Sequence, residues 1–220
     1  MKAAIFDFDG TLVDSLIFWE VYWRAFGERC LGVNDFVPDT AVDKAVRTAN
    51  ILQTATIIDT AYGHGEEAVD LFNELLTAFY SKQVELKEGV REFLDVCAAN
   101  GIKMCVATAS EMDKVKVAMR RLDLDKYFEG AFSCLDLKVN KDVPDVFLQA
   151  LACLGTKKEE TYVFEDSLLA IQTAKKAGFP TVGIYDKHNF GHLEMQQQAT
   201  AYVGEGETMM KLVKKFFKTP

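Results

Sequence analysis

Asp7 and Asp9 stand two residues apart where an apolar run that begins at Ala3 ends, in Asp7-Phe8-Asp9-Gly10-Thr11-Leu12-Val13-Asp14-Ser15. In extended chain, residues i and i+2 point to the same side, so both carboxylates can face one site. Two carboxylates that close repel each other unless a cation sits with them or one keeps a proton. The first outcome leaves an ionised nucleophile; the second leaves an acid that can later act as a base. Gly10 permits the sharp turn such a strand end needs. Alone, the pair also fits a strand-end turn with ordinary surface acids, since such pairs are common.

Three more segments carry chemistry of a compatible kind. Ala107-Thr108-Ala109-Ser110 follows an apolar run and offers hydroxyls and backbone N–H groups at a helix start, suited to phosphate oxygens. Its bland alternative is a helix N-cap by Thr108 or Ser110. Lys141, in Asn140-Lys141-Asp142-Val143-Pro144-Asp145, can balance carboxylates and phosphate, or be a solvated loop lysine. Phe164-Glu165-Asp166-Ser167 sets two acids directly after an apolar strand, a costly placement unless they bind something. Oxygen ligands of that sort suit Mg²⁺; the alternative is an N-cap by Asp166 or Ser167. Each segment has its bland reading, but their joint order at four successive strand ends does not.

The elements that must position them alternate. Strands are predicted at Ala3–Phe8, Ile102–Ala107, Ala131–Ser133, Tyr162–Phe164 and Thr181–Ile184, with Ala201–Val203 as a last edge strand. Helices are predicted at Val90–Asn100, Met112–Leu122, Val143–Leu154 and Leu168–Ala177, and a final one in the basic tail Lys211–Lys218. Short apolar strands alternating with helices imply an α/β fold, a parallel sheet covered on both faces with its sites beyond the carboxyl ends of the strands.

Residues 15 to 83 break the alternation with helices alone. Trp19, Tyr22, Trp23, Phe26 and Cys30 share one helix face, with Glu20, Arg24 and Glu28 on the other side. Asp35 to Asp39 reads as a turn around Pro38, Ala41 to Thr60 as a second helix, and Glu66 to Ser81 as a third after the break at Gly63-His64-Gly65. This segment is expected to be an all-helical cap inserted into a core made of residues 1–14 and 84–220.

Composition narrows the class. Of 220 residues, 33 are acidic and 25 basic, a formal charge of −8, which argues against general nucleic-acid binding. No stretch approaches the roughly 20 apolar residues that span a bilayer, and no segment reads as a signal peptide. A membrane-surface role for the basic tail gives way to a packed final helix. The chain is expected to be cytoplasmic and, by default, a monomer. The five cysteines form no CxxC pair and have no ligand-like spacing to the three histidines, so they are expected to be reduced, buried thiols rather than a zinc site.

With these four segments in hand, the sequence resembles the haloacid dehalogenase-like hydrolase superfamily. DFDGTLVDS, VATAS, the lysine of NKDVPDVF, and VFEDS followed by AIQTAKKAG match its four motifs in order. The resemblance covers essentially the whole chain and is closest to the helical-cap branch that includes phosphoglycolate phosphatase-like and beta-phosphoglucomutase-like members. It implies a doubly wound, Rossmann-like core with Asp7 as nucleophile and Asp9 as general acid and base. It further implies Mg²⁺ held by Asp7, the Asp9 carbonyl and Asp166, with Glu165 near or on the ion. Thr108, the Ala109 amide and Ser110 would bind the phosphoryl group, and Lys141 would neutralise growing charge. The substrate implied is a small phosphorylated metabolite. Candidate cap contacts are Trp19, Lys44, Arg47 and His64.

Three positions depart from the family pattern. Asp142 stands where proline is frequent, and Ala170 where glycine is. Trp19 stands where mutases carry histidine, which favours a phosphatase over a phosphomutase. A ligand-binding protein that keeps the fold without turnover is the alternative from another class.

Overall fold

The computed structural model describes residues 1–48 and 51–217. Strand β1 (Ala3–Phe6) has four apolar residues and no charge before Asp7, so it can be buried on both faces, and all four are fully buried. The other strands are β2 (Lys103–Thr108), β3 (Gly130–Ser133), β4 (Thr161–Glu165), β5 (Thr181–Ile184) and β6 (Ala201–Val203). Between them run α5 (Val90–Ala99), α6 (Met112–Arg121), the short α7 (Cys134–Leu137), α8 (Asp145–Leu154), α9 (Leu168–Lys176) and α10 (His192–Gln198). The last described helix is α11 (Val213–Phe216).

All six strands are parallel, in the order β3-β2-β1-β4-β5-β6. The chain starts at the centre, winds outward to β3, then returns to lay β4 on the other side of β1. At that reversal the connections of neighbouring strands leave in opposite directions and open a crevice at the carboxyl ends. Phe6 is in register with Val106 of β2 and Phe164 of β4, so the segments after all three strands emerge at one level.

Alternation along the strands assigns the two faces. Ala3, Ile5, Cys105, Ala107 and Val163 join Val146, Phe147, Ala150 and Leu154 of α8 and Ala170 and Ala174 of α9 in one core layer. Phe6 and Phe164 point the other way, stacked at 4.5 Å, and meet Phe93 of α5 edge-on and tilted. Each fully buried ring contributes roughly 1.5–3 kcal/mol. The tail packs rather than floats: Met209 and Leu212 are buried, and Phe216 meets Tyr162 at 4.9 Å.

The chain divides into two compact units, Met1–Leu16 with everything from Val84 onward, and Ile17–Gln83. The second unit holds α1 (Phe18–Phe26), continued by a π-helical turn at Gly27–Leu31, then α2 (Thr40–Thr48), α3 (Ile51–Tyr62) and α4 (Gly65–Lys82). Asp39 starts α2 by accepting from the Ala41 and Val42 amides at 2.8 and 3.3 Å, a side-chain N-cap. Its interior is aromatic: Phe18 and Tyr22 each meet Phe72 at 5.4 Å, and Phe36 meets Tyr62 at 5.3 Å.

Several expectations change in detail. The predicted helix over Val143–Leu154 begins at Asp145, because Pro144 ends the preceding loop rather than continuing a helix. Whether the stretch Ala41–Thr60 is continuous falls on residues 49 and 50, outside the described residues, as does Lys218 of the tail. Helices α7 and α10 had no clear periodic signal, being four and seven residues long. Cys97, Cys105 and Cys134 are buried, but Cys30 is half-buried and Cys153 exposed. Cys153 falls at the edge of the α8 stripe of Val146, Phe147, Ala150 and Leu154, where its thiol meets Cys105 and Gly130 while the residue stays open to solvent.

Candidate active site

Asp7 follows β1 immediately, its amide donating to the Phe164 carbonyl at 2.9 Å and so extending the β1–β4 ladder by one residue. Glu165 is the last residue of β4 and Asp166 the first beyond it. The three carboxyl groups therefore meet at the switch between β1 and β4. All are buried, and one ligand oxygen from each lies within 4.8 Å of the others. Lys141, in the loop between α7 and α8, reaches the same place. Its Nζ donates to Asp7 Oδ1 and to Glu165 Oε1, both at 2.5 Å.

Three buried carboxylates against one buried ammonium leave the site short of positive charge. Burial raises the Asp7 carboxyl well above its ordinary range; Lys141 opposes the shift, while Glu165, Asp166 and Asp9 add to it. Asp166 is pushed up to about 7, by burial first and by Glu165 next. Burial disfavours the charge on Lys141, but Asp7 and Glu165 overcome it and hold the ammonium above its usual value. Such a donor set, hard oxygens in deficit of positive charge, fits a divalent cation of the Mg²⁺ type. Among the described residues it is the one group of three or more potential ligands close enough to share an ion.

Asp9 is placed differently. Its backbone turns at Gly10, whose φ of +73° a side chain would strain. A Cβ at Gly10 would also come within 2.7 Å of Asp166 Cγ, so glycine is what lets the Asp166 carboxyl close onto the loop. The Asp9 carboxylate stands outside the three-acid group and accepts from Ser110 Oγ at 2.6 Å. Ser110 is itself held by its carbonyl, which accepts from Ser133 Oγ at 2.7 Å. Thr108 is buried at the end of β2, and its Oγ1 accepts from the Ser110 amide at 3.0 Å; Ala109 between them is exposed.

The bland capping alternatives do not hold. Helix α6 begins after Glu111 with no side-chain cap, so neither Thr108 nor Ser110 serves it. Helix α9 begins after Ser167, again without a side-chain cap. Glu165 instead pairs with Lys141, with its Oε2 also accepting from the Ser167 amide at 3.3 Å, and Asp166 stands beside it in the three-acid group. Asp142, the departure beside the lysine, is exposed, and Lys141 pairs with Asp7 and Glu165.

The structure adds residues the motif reading passed over. Thr11 Oγ1 donates to Asp166 Oδ1 at 3.4 Å. Asn189 Nδ2 donates to Asp166 Oδ2 at 2.8 Å and to its carbonyl at 3.0 Å. Lys87 Nζ donates to the Gly10 carbonyl at 2.8 Å, the Tyr185 carbonyl at 3.1 Å and Asp186 Oδ2 at 2.6 Å. Asp186 stands two residues after β5, so the strand-end rule applied to a fifth strand would have found it, whereas Asn189, an uncharged residue further along the loop, would not have been. Lys87 follows no such pattern.

The helical unit places its candidates among partners of their own. Arg47 Nε donates to Asp43 Oδ1 at 2.9 Å, and its guanidinium lies 5.4 Å from the centre of the Trp19 ring. Asp43 also accepts from Trp23 Nε1 at 2.6 Å. Trp19 is half-buried and tilts against Phe72 at 5.6 Å. Lys44 is exposed, and His64 Nδ1 lies 3.8 Å from Glu67.

Comparison with known proteins places this geometry. The model of the haloacid dehalogenase-like hydrolase family matches residues 4–184. The chain belongs to that family and is an enzyme of the hydrolase class. A Thermotoga maritima protein named phosphorylated carbohydrates phosphatase is 29% identical, with 95% of this chain and 97% of that protein covered. A Shigella boydii phosphoglycolate phosphatase is 26% identical, covering 92% and 88%. A solved Thermotoga maritima structure, provisionally assigned as a beta-phosphoglucomutase, superposes with a TM-score of 0.80 at 25% identity over 99% of this chain and 100% of that one. No helix among the described residues is long and apolar enough to cross a membrane.

Proposed function

We propose that this enzyme is a Mg²⁺-dependent phosphatase of a small phosphorylated metabolite, working through an aspartyl-phosphate on Asp7. The observation that carries the reading is the Asp7–Glu165–Asp166 group with Lys141 at its side, buried at the sheet's switch point. Asp7, Asp166 and the Asp9 carbonyl would hold the cation, with Glu165 beside it. When bound, Mg²⁺ supplies positive charge to the phosphoryl oxygens and keeps Asp7 ionised.

The chain's own residues do the rest. An Asp7 carboxylate oxygen attacks phosphorus, and the bond from phosphorus to the ester oxygen breaks. Asp9 gives its proton to that oxygen as the alcohol leaves. Asp9 then takes a proton from water as the water attacks the aspartyl-phosphate, releasing inorganic phosphate and freeing Asp7. Thr108, the Ala109 amide and Ser110 bind the phosphoryl oxygens, and Lys141 counters the charge that builds on them. For Asp9 to reach the leaving oxygen, its carboxylate exchanges the Ser110 hydroxyl for substrate.

The relatives' names support a carbohydrate-type phosphate monoester as substrate. We assign its selection to the helical unit, with Trp19 and Arg47 as contacts. Trp19 in place of histidine supports hydrolysis over phosphoryl return to a substrate isomer. We take the enzyme to be a cytoplasmic monomer, and the acidic balance of the chain supports action without nucleic acid.

The test is a panel of phosphorylated metabolites assayed with Mg²⁺ beside Asp7→Asn. Phosphate release that falls by about a thousandfold or more in the variant is expected. A wild-type enzyme inert across the panel, or one that forms a hexose phosphate isomer faster than it releases phosphate, would overturn the reading.

A further inference from the structure

The loop after β5 is built around one residue outside the four motifs. Asp186 is buried; its Oδ1 accepts from the His188 amide at 2.9 Å and its carbonyl from the Asn189 amide at 3.0 Å. Its Oδ2 receives Lys87, whose ammonium also binds the Gly10 carbonyl. The loop is thus moored to the turn that follows Asp7 and Asp9. From it Asn189 projects onto Asp166.

The orientation of the Asn189 amide is settled by its neighbours. Its Oδ1 accepts from the Phe190 amide at 2.8 Å, so Nδ2 is the end that faces Asp166. Only the NH₂ end can serve there, because both atoms it meets, the Asp166 carbonyl and Oδ2, are acceptors. Thr11 reaches the other carboxylate oxygen at 3.4 Å, so the Asn189 contact at 2.8 Å is the shorter hold on the group. One oxygen of Asp166 is tied back while the carboxyl packs against Gly10.

We propose that Asn189 is a positioning residue for the cation site, holding the Asp166 carboxylate in the orientation that offers Oδ1 to Mg²⁺. The proposal rests on the reading of the three-acid group as that site. Mg²⁺ demands near-octahedral geometry and sheds water reluctantly, so a ligand carboxylate free to rotate binds it less well. Hydrogen-bond partners of ligating carboxylates commonly account for ten- to a hundredfold in metal affinity.

The test is Mg²⁺ titration calorimetry on the full chain, without substrate, for wild type, Asn189→Ala, Asn189→Leu, Asp166→Asn and Lys187→Ala. Lys187 is exposed on the same loop and serves as control. Asn189→Leu keeps the bulk of the side chain if the alanine variant folds poorly. Both Asn189 variants are expected to weaken Mg²⁺ by about tenfold, with Lys187→Ala unchanged and Asp166→Asn losing the isotherm. In phosphate release, the Mg²⁺ concentration for half-maximal rate should rise in parallel while kcat recovers at saturating Mg²⁺. A merely structural defect would lower kcat without that recovery. The proposal falls if either Asn189 variant folds and binds within about twofold of wild type, or if wild type gives no isotherm. Wild type that binds Mg²⁺ but releases no phosphate overturns the phosphatase reading alone.

Discussion

The two units of this chain bury opposite kinds of side chain. At the carboxyl end of the sheet, Asp7, Lys141, Glu165 and Asp166 are withdrawn from water together, and their charges do not balance. The helical unit fills its interior with Phe18, Tyr22, Trp23, Phe26 and Phe72, and its inward-leaning ions, Asp43 and Arg47, balance each other. One region is under electrostatic stress that a cation would relieve; the other is satisfied as it stands. The contrast teaches where ligands should be felt. A charged ligand should stabilise and reorganise the sheet unit, while the helical unit should respond to changes in packing.

Removing Lys141 should give the largest effect. Lys141→Met keeps the stem and deletes the charge, so Asp7 and Glu165 lose their one buried cation. Breaking a buried pair from one side costs about 3–5 kcal/mol, because the remaining charge stays uncompensated. Chemical denaturation of the metal-free protein should show a loss of that order, with Mg²⁺ recovering part of it. On the proposed mechanism, phosphate release at saturating Mg²⁺ should fall by about a hundredfold or more, because Lys141 would no longer counter charge in the transition state. A variant as stable as wild type without metal would mean the stress described here is not real.

The next effect tests the same stress through protons. Asp166 is raised to about 7 from the ordinary 3.8, burial being the main cause. Between those values the folded state holds a proton that the unfolded state has released. Stability of the metal-free protein from this group therefore falls as pH rises through that window. Mg²⁺ competes for the same oxygens, so it must displace the proton within the window and need not above it. The rise in Tm on adding Mg²⁺ should be several degrees greater above about pH 7 than near about pH 5. An equal rise at both would detach the cation from Asp166.

The same contrast explains what was legible in the sequence. A carboxylate that follows a run as apolar as Ala3–Phe6 or Tyr162–Phe164 is costly wherever it ends up, so its presence already signals a use. Parallel strands then bring such ends to one level, which is why Asp7, Lys141, Glu165 and Asp166, scattered along the chain, could be expected in one place. Asn189 was not legible, because an asparagine in a loop costs nothing by itself; only the coordinates show Asp166 beneath it. Lys87 is similar, a lysine whose three acceptors come from two distant turns. In the helical unit, spacing identified the buried face of α1 but not the partners of Arg47. A side chain on a helix surface can turn to a ligand or to a neighbour with little difference in sequence. Here Asp43, one turn earlier, and Trp19 already engage it.

The smallest effect should come from the helical unit, and it sharpens the contrast by being confined there. Tyr22 is fully buried, and its hydroxyl donates to the Ala68 carbonyl of α4 at 3.1 Å, tying α1 to α4. Burial raises the phenol above its ordinary value, so it remains a donor at every pH at which the protein would be assayed. Tyr22→Phe keeps the ring and its contacts with Phe18 and Phe72, and removes one hydrogen bond. A carbonyl inside α4 keeps its helical partner, so no acceptor is left bare, and the cost should be about 1 kcal/mol in urea unfolding. Because that bond lies wholly within the helical unit, Mg²⁺ affinity should stay within about twofold of wild type, the spread expected for independent sites. A large loss of Mg²⁺ binding in Tyr22→Phe would show that the aromatic interior and the charged end of the sheet are energetically one system, and the division drawn between them would have to be abandoned.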